Sequence, residues 1–178
     1  MRKLGICLGL VLLAALLAAF YGAVHDQLTY TIAPEYFTRF KYEQFGFEPA
    51  WFGGNRPTVA LIGVLATWWM GLFVGTVFTL TGAVYLRLAW LLPVVGGAIG
   101  RAFIVVIGTE IIGYGYGRLV LARTNVDWWL PEHLLHPDDF ITVGSMHNAA
   151  YLGGLLGLIF GVAYIVRRGR ALRLATSN

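Results

Sequence analysis

The sequence predicts an all-α membrane protein, a bundle of four transmembrane helices with a short interfacial helix after the first. Three observations carry this. The 178 residues are 58% hydrophobic and only 12% charged, with a mean hydropathy of +0.70. An ordinary soluble domain carries about 25% charged residues. Four long apolar runs divide the chain, and the lysines and arginines stand mainly at their ends. Gly, at 23 residues, and aromatics, at 15%, are both abundant, as suits helices that pack closely in lipid and anchor at its interfaces.

The length allows one integral membrane domain over residues 1–178. A bilayer needs about 20 apolar residues per helix, and the spans are expected at about 4–24, 58–82, 90–116 and 142–166. The first run follows Met1-Arg2-Lys3 and invites comparison with a cleaved signal peptide. Tyr21 would then occupy a position that wants a small residue, so a retained helix is expected. Cys7, the single cysteine, cannot form an internal disulfide, and the bulky Ile6 before it speaks against lipidation.

Residues 26–56 mix charge with aromatics. Pro34 suits a helix start and Glu35 its first turn, so 34–45 reads as a short helix on the bilayer surface, followed by a turn at Gly53-Gly54-Asn55. The second run, 57–86, has no charge. Trp68 and Trp69 fall mid-run, too deep for an interfacial belt, and are expected to pack between helices. Pro93 suits a start for the third helix, whose run holds Arg101 and Glu110. Residues 118–139 are polar, with Trp128 and Trp129 as interface anchors. Within them Pro131 reads as a helix start and Pro137 as its stop, with His133 and His136 on one face. Small-xxx-small spacings recur on every run: Gly5/Gly9, Gly71/Gly75, Gly96/Gly100, Gly113/Gly117 and Gly153/Gly157/Gly161. They suggest a compact bundle, or equally contacts with a protein partner or a second copy.

The net charge of +4 does not point to nucleic acid, because the bases sit at helix ends. With the N-terminus cytoplasmic, the inside holds Arg2, Lys3, Arg87, Arg167, Arg168, Arg170 and Arg173 and no acid. The outside holds five bases on longer loops. This asymmetry predicts a multi-pass protein of the cytoplasmic (inner) membrane with both termini cytoplasmic. Membrane lipid is the expected partner.

Ionisable groups inside a membrane are costly and mark candidate sites. His25 and Asp26 end the first run, Glu110 lies late in the third, and His147 and Asn148 lie early in the fourth. At about 1.5 Å per residue, His147 is roughly 30 Å from Arg167, Glu110 roughly 26 Å from Pro93 and His25 roughly 33 Å from Lys3. All three therefore approach one level near the outer boundary. Residues sharing a face with small neighbours, such as Asp26 with Gly22 and His147 with Gly154 and Gly161, should point into the bundle. Glu35 is expected to reach back toward them.

His, Asp and Glu form a ligand set for a divalent metal such as zinc or iron. A His-Glu pair can also shuttle a proton, and two histidines can hold a haem. Transport is another use. A hydrogen-bonded clasp that fixes helix register needs none of these. His133 and His136 form a secondary candidate metal pair, and Arg101 a candidate lipid or partner contact through snorkelling. No nucleophile elbow, phosphate-binding glycine loop or HExxH motif occurs. Whether the chain is an enzyme stays open.

The stretch Tyr21-Gly22-Ala23-Val24-His25-Asp26-Gln27-Leu28-Thr29-Tyr30-Thr31, followed by Pro34-Glu35-Tyr36-Phe37-Thr38, resembles a pattern in a family of uncharacterised bacterial four-helix integral membrane proteins. Thr67-Trp68-Trp69-Met70-Gly71 and the His147-Asn148 region with Tyr151 are similar to it as well. The resemblance implies that the His-Asp-Gln and Pro-Glu-Tyr-Phe segments after the first helix are distinctive. It implies no activity. Two functional classes follow: a membrane enzyme or metal-binding protein using the polar site, or a structural or accessory subunit in which that site is a clasp.

Overall fold

A computed structural model describes residues 1–124 and 126–175. Four helices are long and apolar enough to cross a membrane: α1 (Arg2–Ile32), α2 (Asn55–Tyr85), α3 (Leu88–Leu119) and α4 (Pro137–Leu174). Among the described residues there is no strand. Each helix has at least 31 residues, about 46 Å at 1.5 Å per residue. That exceeds a hydrocarbon core of about 30 Å, so each carries a turn or more beyond its expected span.

The ends are set by backbone chemistry that hydropathy does not show. α1 runs past His25 and Asp26 to Ile32, because nothing stops it until Pro34 pushes Ala33 out of the helical region (φ −136°, ψ 84°). Helix α3 starts at Leu88, so Pro93 lies inside its first turns rather than opening it. Its ring removes the amide that would have bonded to the Ala89 carbonyl, so α3 gives up one helical hydrogen bond near its start. Pro137 opens α4 instead of closing a helix over 131–136. Its fixed φ suits the first helical position, and Asp138 and Asp139 complete an acidic first turn. Residues 131–136 form a turn with His133 at φ 58°.

Helix α1 lies along α2, and α3 along α4. Glycines make the first contact close. A methyl group on Gly22 would come within 2.2 Å of the Gly63 carbonyl oxygen, and one on Gly63 within 2.1 Å of the Gly22 carbonyl. Gly71 and Gly75 sit against Ala14, while Gly113 and Gly117 sit against Ser145 and Gly153 and Gly157 against Val106 and Ala102. Gly5, Gly9, Gly96 and Gly100 meet nothing. Thr67 Oγ1 donates to the Ala18 carbonyl and Ser145 Oγ to the Gly113 carbonyl, tying each pair. Trp68 and Trp69 are exposed at 44% and 50% and do not pack between helices. They lie on the outward side of the helix that carries Gly63, Gly71 and Gly75 inward.

Three short pieces, Pro34–Tyr36, a π-turn Phe37–Lys41 and Tyr42–Phe45, run on as the short helix expected over 34–45. It does not merely rest on a surface. Phe37 is fully buried, and Tyr36 and Tyr42 pack with Val59, Ile62, Phe140 and Met146. The segment is a cap folded over one end of the bundle. Its aromatics gain more by joining that core than by lying flat, each such ring contributing roughly 1.5–3 kcal/mol on full burial. Gly46 closes the cap in the left-handed conformation, and Gly53 and Gly54, both at positive φ, turn the chain into α2.

Candidate functional site

Beneath the cap, α1, α3 and α4 bring four ionisable residues together. His25, Asp26, Glu110 and His147 are each at most 8% exposed. His25 and Asp26 are adjacent on α1 and point about 100° apart. That lets His25 face α3 while Asp26, one turn from the close-packed Gly22, faces α4.

The hydrogen bonds fix both imidazoles. His147 Nδ1 lies 3.0 Å from the Val143 carbonyl oxygen. A carbonyl only accepts, so Nδ1 carries the proton and Nε2 is left with its lone pair. His25 Nδ1 lies 2.7 Å from Glu110 Oε1 and donates to that carboxylate, again leaving Nε2 as the free nitrogen. Tyr21 Oη donates to the other oxygen, Oε2, at 2.8 Å. The result is a chain running from Tyr21 through Glu110 to His25.

The two free nitrogens converge on one oxygen. Asp26 Oδ1 is 3.4 Å from His147 Nε2 and 3.8 Å from His25 Nε2. One donor atom from each of the three residues lies within 4.8 Å of the others. His147 Nε2 is buried and has no hydrogen-bond partner. The rings stand 72° apart with centroids 4.7 Å apart, which leaves no room for a macrocycle between them, so haem does not fit.

Metal–nitrogen and metal–oxygen bonds of about 2.0–2.2 Å in a tetrahedron place ligand atoms roughly 3.3–3.5 Å apart. The Asp26–His147 spacing already has that value, and the Asp26–His25 spacing is a few tenths of an ångström longer, within a set of donor atoms that all lie within 4.8 Å of one another. A ligating histidine ordinarily donates its other N–H to a carboxylate or a backbone carbonyl. Here His25 has the first kind of partner and His147 the second. Three protein ligands leave a fourth position for water.

The cap closes the site. The Tyr36 ring is 4.8 Å from His147 and the Phe37 ring 6.4 Å. Lys41 is buried, donates to Gln44 Oε1 at 2.9 Å and lies 5.2 Å over Phe40. Burial pushes its ammonium below the ordinary lysine range, against the opposing pull of Asp26.

The remaining candidates lie elsewhere. Glu35 does not reach the cluster. Its carboxylate accepts from the Leu135 amide at 3.0 Å and the His136 amide at 2.8 Å, tying the cap to the loop before α4. These bonds, with Leu135 foremost, hold its carboxyl below the usual range. Asn148 is exposed on the far side of α4. The His133 side chain is 92% exposed and lies 4.0 Å from Glu132, and His136 is also exposed. With no helix over 131–136, no shared face presents the two. Arg101 is exposed on α3 and belongs to the other end of the bundle. Tyr21, Tyr36 and Lys41 were not singled out by sequence. Tyr21 stands one turn before His25, a spacing that signals a shared face, whereas Tyr36 and Lys41 arrive only through the fold of the cap.

No protein family, curated protein or solved structure matches the chain. The reading of this site therefore rests on its own geometry.

Proposed function

We propose that this is an integral membrane protein that holds one divalent metal ion of the zinc class on His25 Nε2, His147 Nε2 and Asp26 Oδ1, near the outer membrane face. One observation carries the reading: both histidines have Nδ1 engaged by other groups and turn Nε2 onto one carboxylate. A clasp built to fix register would use its buried polar atoms, since an unmade buried hydrogen bond costs about 1–3 kcal/mol. His147 Nε2 makes none. Glu110 and Tyr21 would orient the His25 ligand. A water in the fourth position would be polarised as a Lewis-acid ligand, and the cap would keep bulk solvent from it.

The apolar length of all four helices and the arginine-rich end support insertion with both termini cytoplasmic. The second reading, an accessory subunit of a membrane complex, is favoured by the uncovered glycine faces at Gly5/Gly9 and Gly96/Gly100.

Elemental analysis of the full-length protein, extracted from membranes and dialysed against a zinc buffer, tests the proposal. One zinc per chain is expected, lost in His147→Ala and Asp26→Ala with the helical circular dichroism unchanged. A folded wild-type chain that retains no metal would overturn it.

A further inference from the structure

A second charge enters an apolar helix at Arg101 on α3. Its guanidinium stacks on Tyr164 of α4, with Cζ 4.0 Å from the ring centroid. Nη1 donates to the Gly97 carbonyl at 2.9 Å. That bond turns the side chain back along α3, away from Glu110 and toward the arginine-rich end, as a snorkelling arginine does. There Arg101, Arg167 and Arg168 line a groove of about 650 Å³ whose other wall includes Ile159, Phe160 and Ala163.

Among the described residues no Asp or Glu pairs with these three cations. Residues 49–109 and 140–178 contain neither Asp nor Glu. Glu110, the nearest acid along α3, is nine residues from Arg101, about 13.5 Å up the axis, and is engaged with His25 and Tyr21. Three guanidiniums around one groove repel one another unless an anion comes from outside the chain. Arg101 has been positioned for it: the stack and the Gly97 bond fix the plane of the fork, and a fixed fork suits a phosphate.

The shape of the groove narrows the anion further. Ile159 and Phe160 are 53% and 55% exposed, on the outward face of α4, where a bilayer would place hydrocarbon. A soluble anion uses the guanidiniums and leaves this wall bare. An anion with attached acyl chains uses both. We propose that the groove binds the phosphodiester of an anionic phospholipid, its phosphate held by Arg101, Arg167 and Arg168 and one acyl chain lying along Ile159 and Phe160. The proposal rests on the bundle lying in a bilayer and is independent of the metal site.

Native mass spectrometry of the detergent-purified full-length chain tests it, with dioleoylphosphatidylglycerol and dioleoylphosphatidylcholine as competing probes and inorganic phosphate as a third arm. The anionic phosphatidylglycerol should be retained about tenfold better than the zwitterionic phosphatidylcholine, the worth of one good charged contact. Arg101→Gln should reduce that preference to about threefold or less. Arg101→Lys, which keeps the charge but loses the fork, should fall between. The double variant Arg167→Gln/Arg168→Gln changes only exposed positions and should lower the preference even if Arg101→Gln does not fold. Equal retention of the two lipids would overturn the proposal. So would a preference that survives both sets of substitutions, which would put the lipid contact elsewhere. Displacement of the lipid by millimolar inorganic phosphate would overturn it in favour of a soluble anion.

Discussion

The two ends of this bundle treat charge in opposite ways. At the capped end, His25, Asp26, Glu110 and His147 are buried, carry both signs and are turned on one another. At the other end Arg101, Arg167 and Arg168 are exposed, carry one sign and pair with no Asp or Glu among the described residues. Packing differs in part as well. Gly22 and Gly63 near the cluster are in backbone contact, whereas Gly5, Gly9, Gly96 and Gly100 have open space around them, although Gly169, beside Arg168, packs against the Tyr85 backbone. The buried end has a geometry fixed by its own helices. The exposed end is left to be completed by what surrounds it.

The largest expected effect breaks this contrast by packing. Gly22→Leu or Gly63→Val would force side chains into backbone atoms about 2 Å away. Overpacking costs about 1–3 kcal/mol or more, and because a backbone carbonyl blocks the way the upper end is expected. The α1–α2 seam should open and the melting temperature fall sharply. Gly5→Leu and Gly96→Leu should leave the melt unchanged. Equal losses at both ends would mean that the glycines of the arginine end are covered by a partner.

A second effect sharpens the chemistry of the buried end. Glu110→Gln keeps the shape but weakens the acceptor for His25 Nδ1. Outer-shell substitutions of this kind cost about 10–100-fold in metal affinity, readable by zinc competition with a chromophoric chelator. Tyr21→Phe, one bond further out, should cost less. If Glu110→Gln binds zinc as tightly as the wild type, Glu110 does not orient the ligand.

These two contrasts also show what the sequence made legible. The four helices could be read because apolar runs and terminal arginines are local signals. The convergence of His25, Glu110 and His147 on one level followed from helical rise alone. Three features needed tertiary contacts. Glu35 faces the loop amides of Leu135 and His136 because the cap folds over the bundle end, and no periodicity encodes that direction. Trp68 and Trp69 point outward because the glycines of α2 claim the inward face. The free Nε2 of His147 depends on a backbone carbonyl, Val143, which no side-chain pattern reveals.

A smaller effect concerns the seam between cap and loop. The folded-state carboxyl of Glu35 is lowered, so its bonds contribute fully above the ordinary carboxylate range and are lost as pH falls through the lowered value. Glu35→Gln should lower the melting temperature slightly at pH 7, and the gap from wild type should close on acidification. A gap that widens in acid would contradict the assigned bonds.

The proposed metal centre is tested most directly by X-ray absorption at the zinc edge of the zinc-loaded, full-length protein. Two imidazole nitrogens and at least one carboxylate oxygen at about 2.0–2.2 Å are expected, with this imidazole-bearing shell lost together with the bound zinc in His147→Ala. An oxygen-only shell, or the same spectrum in wild type and His147→Ala, would contradict the account.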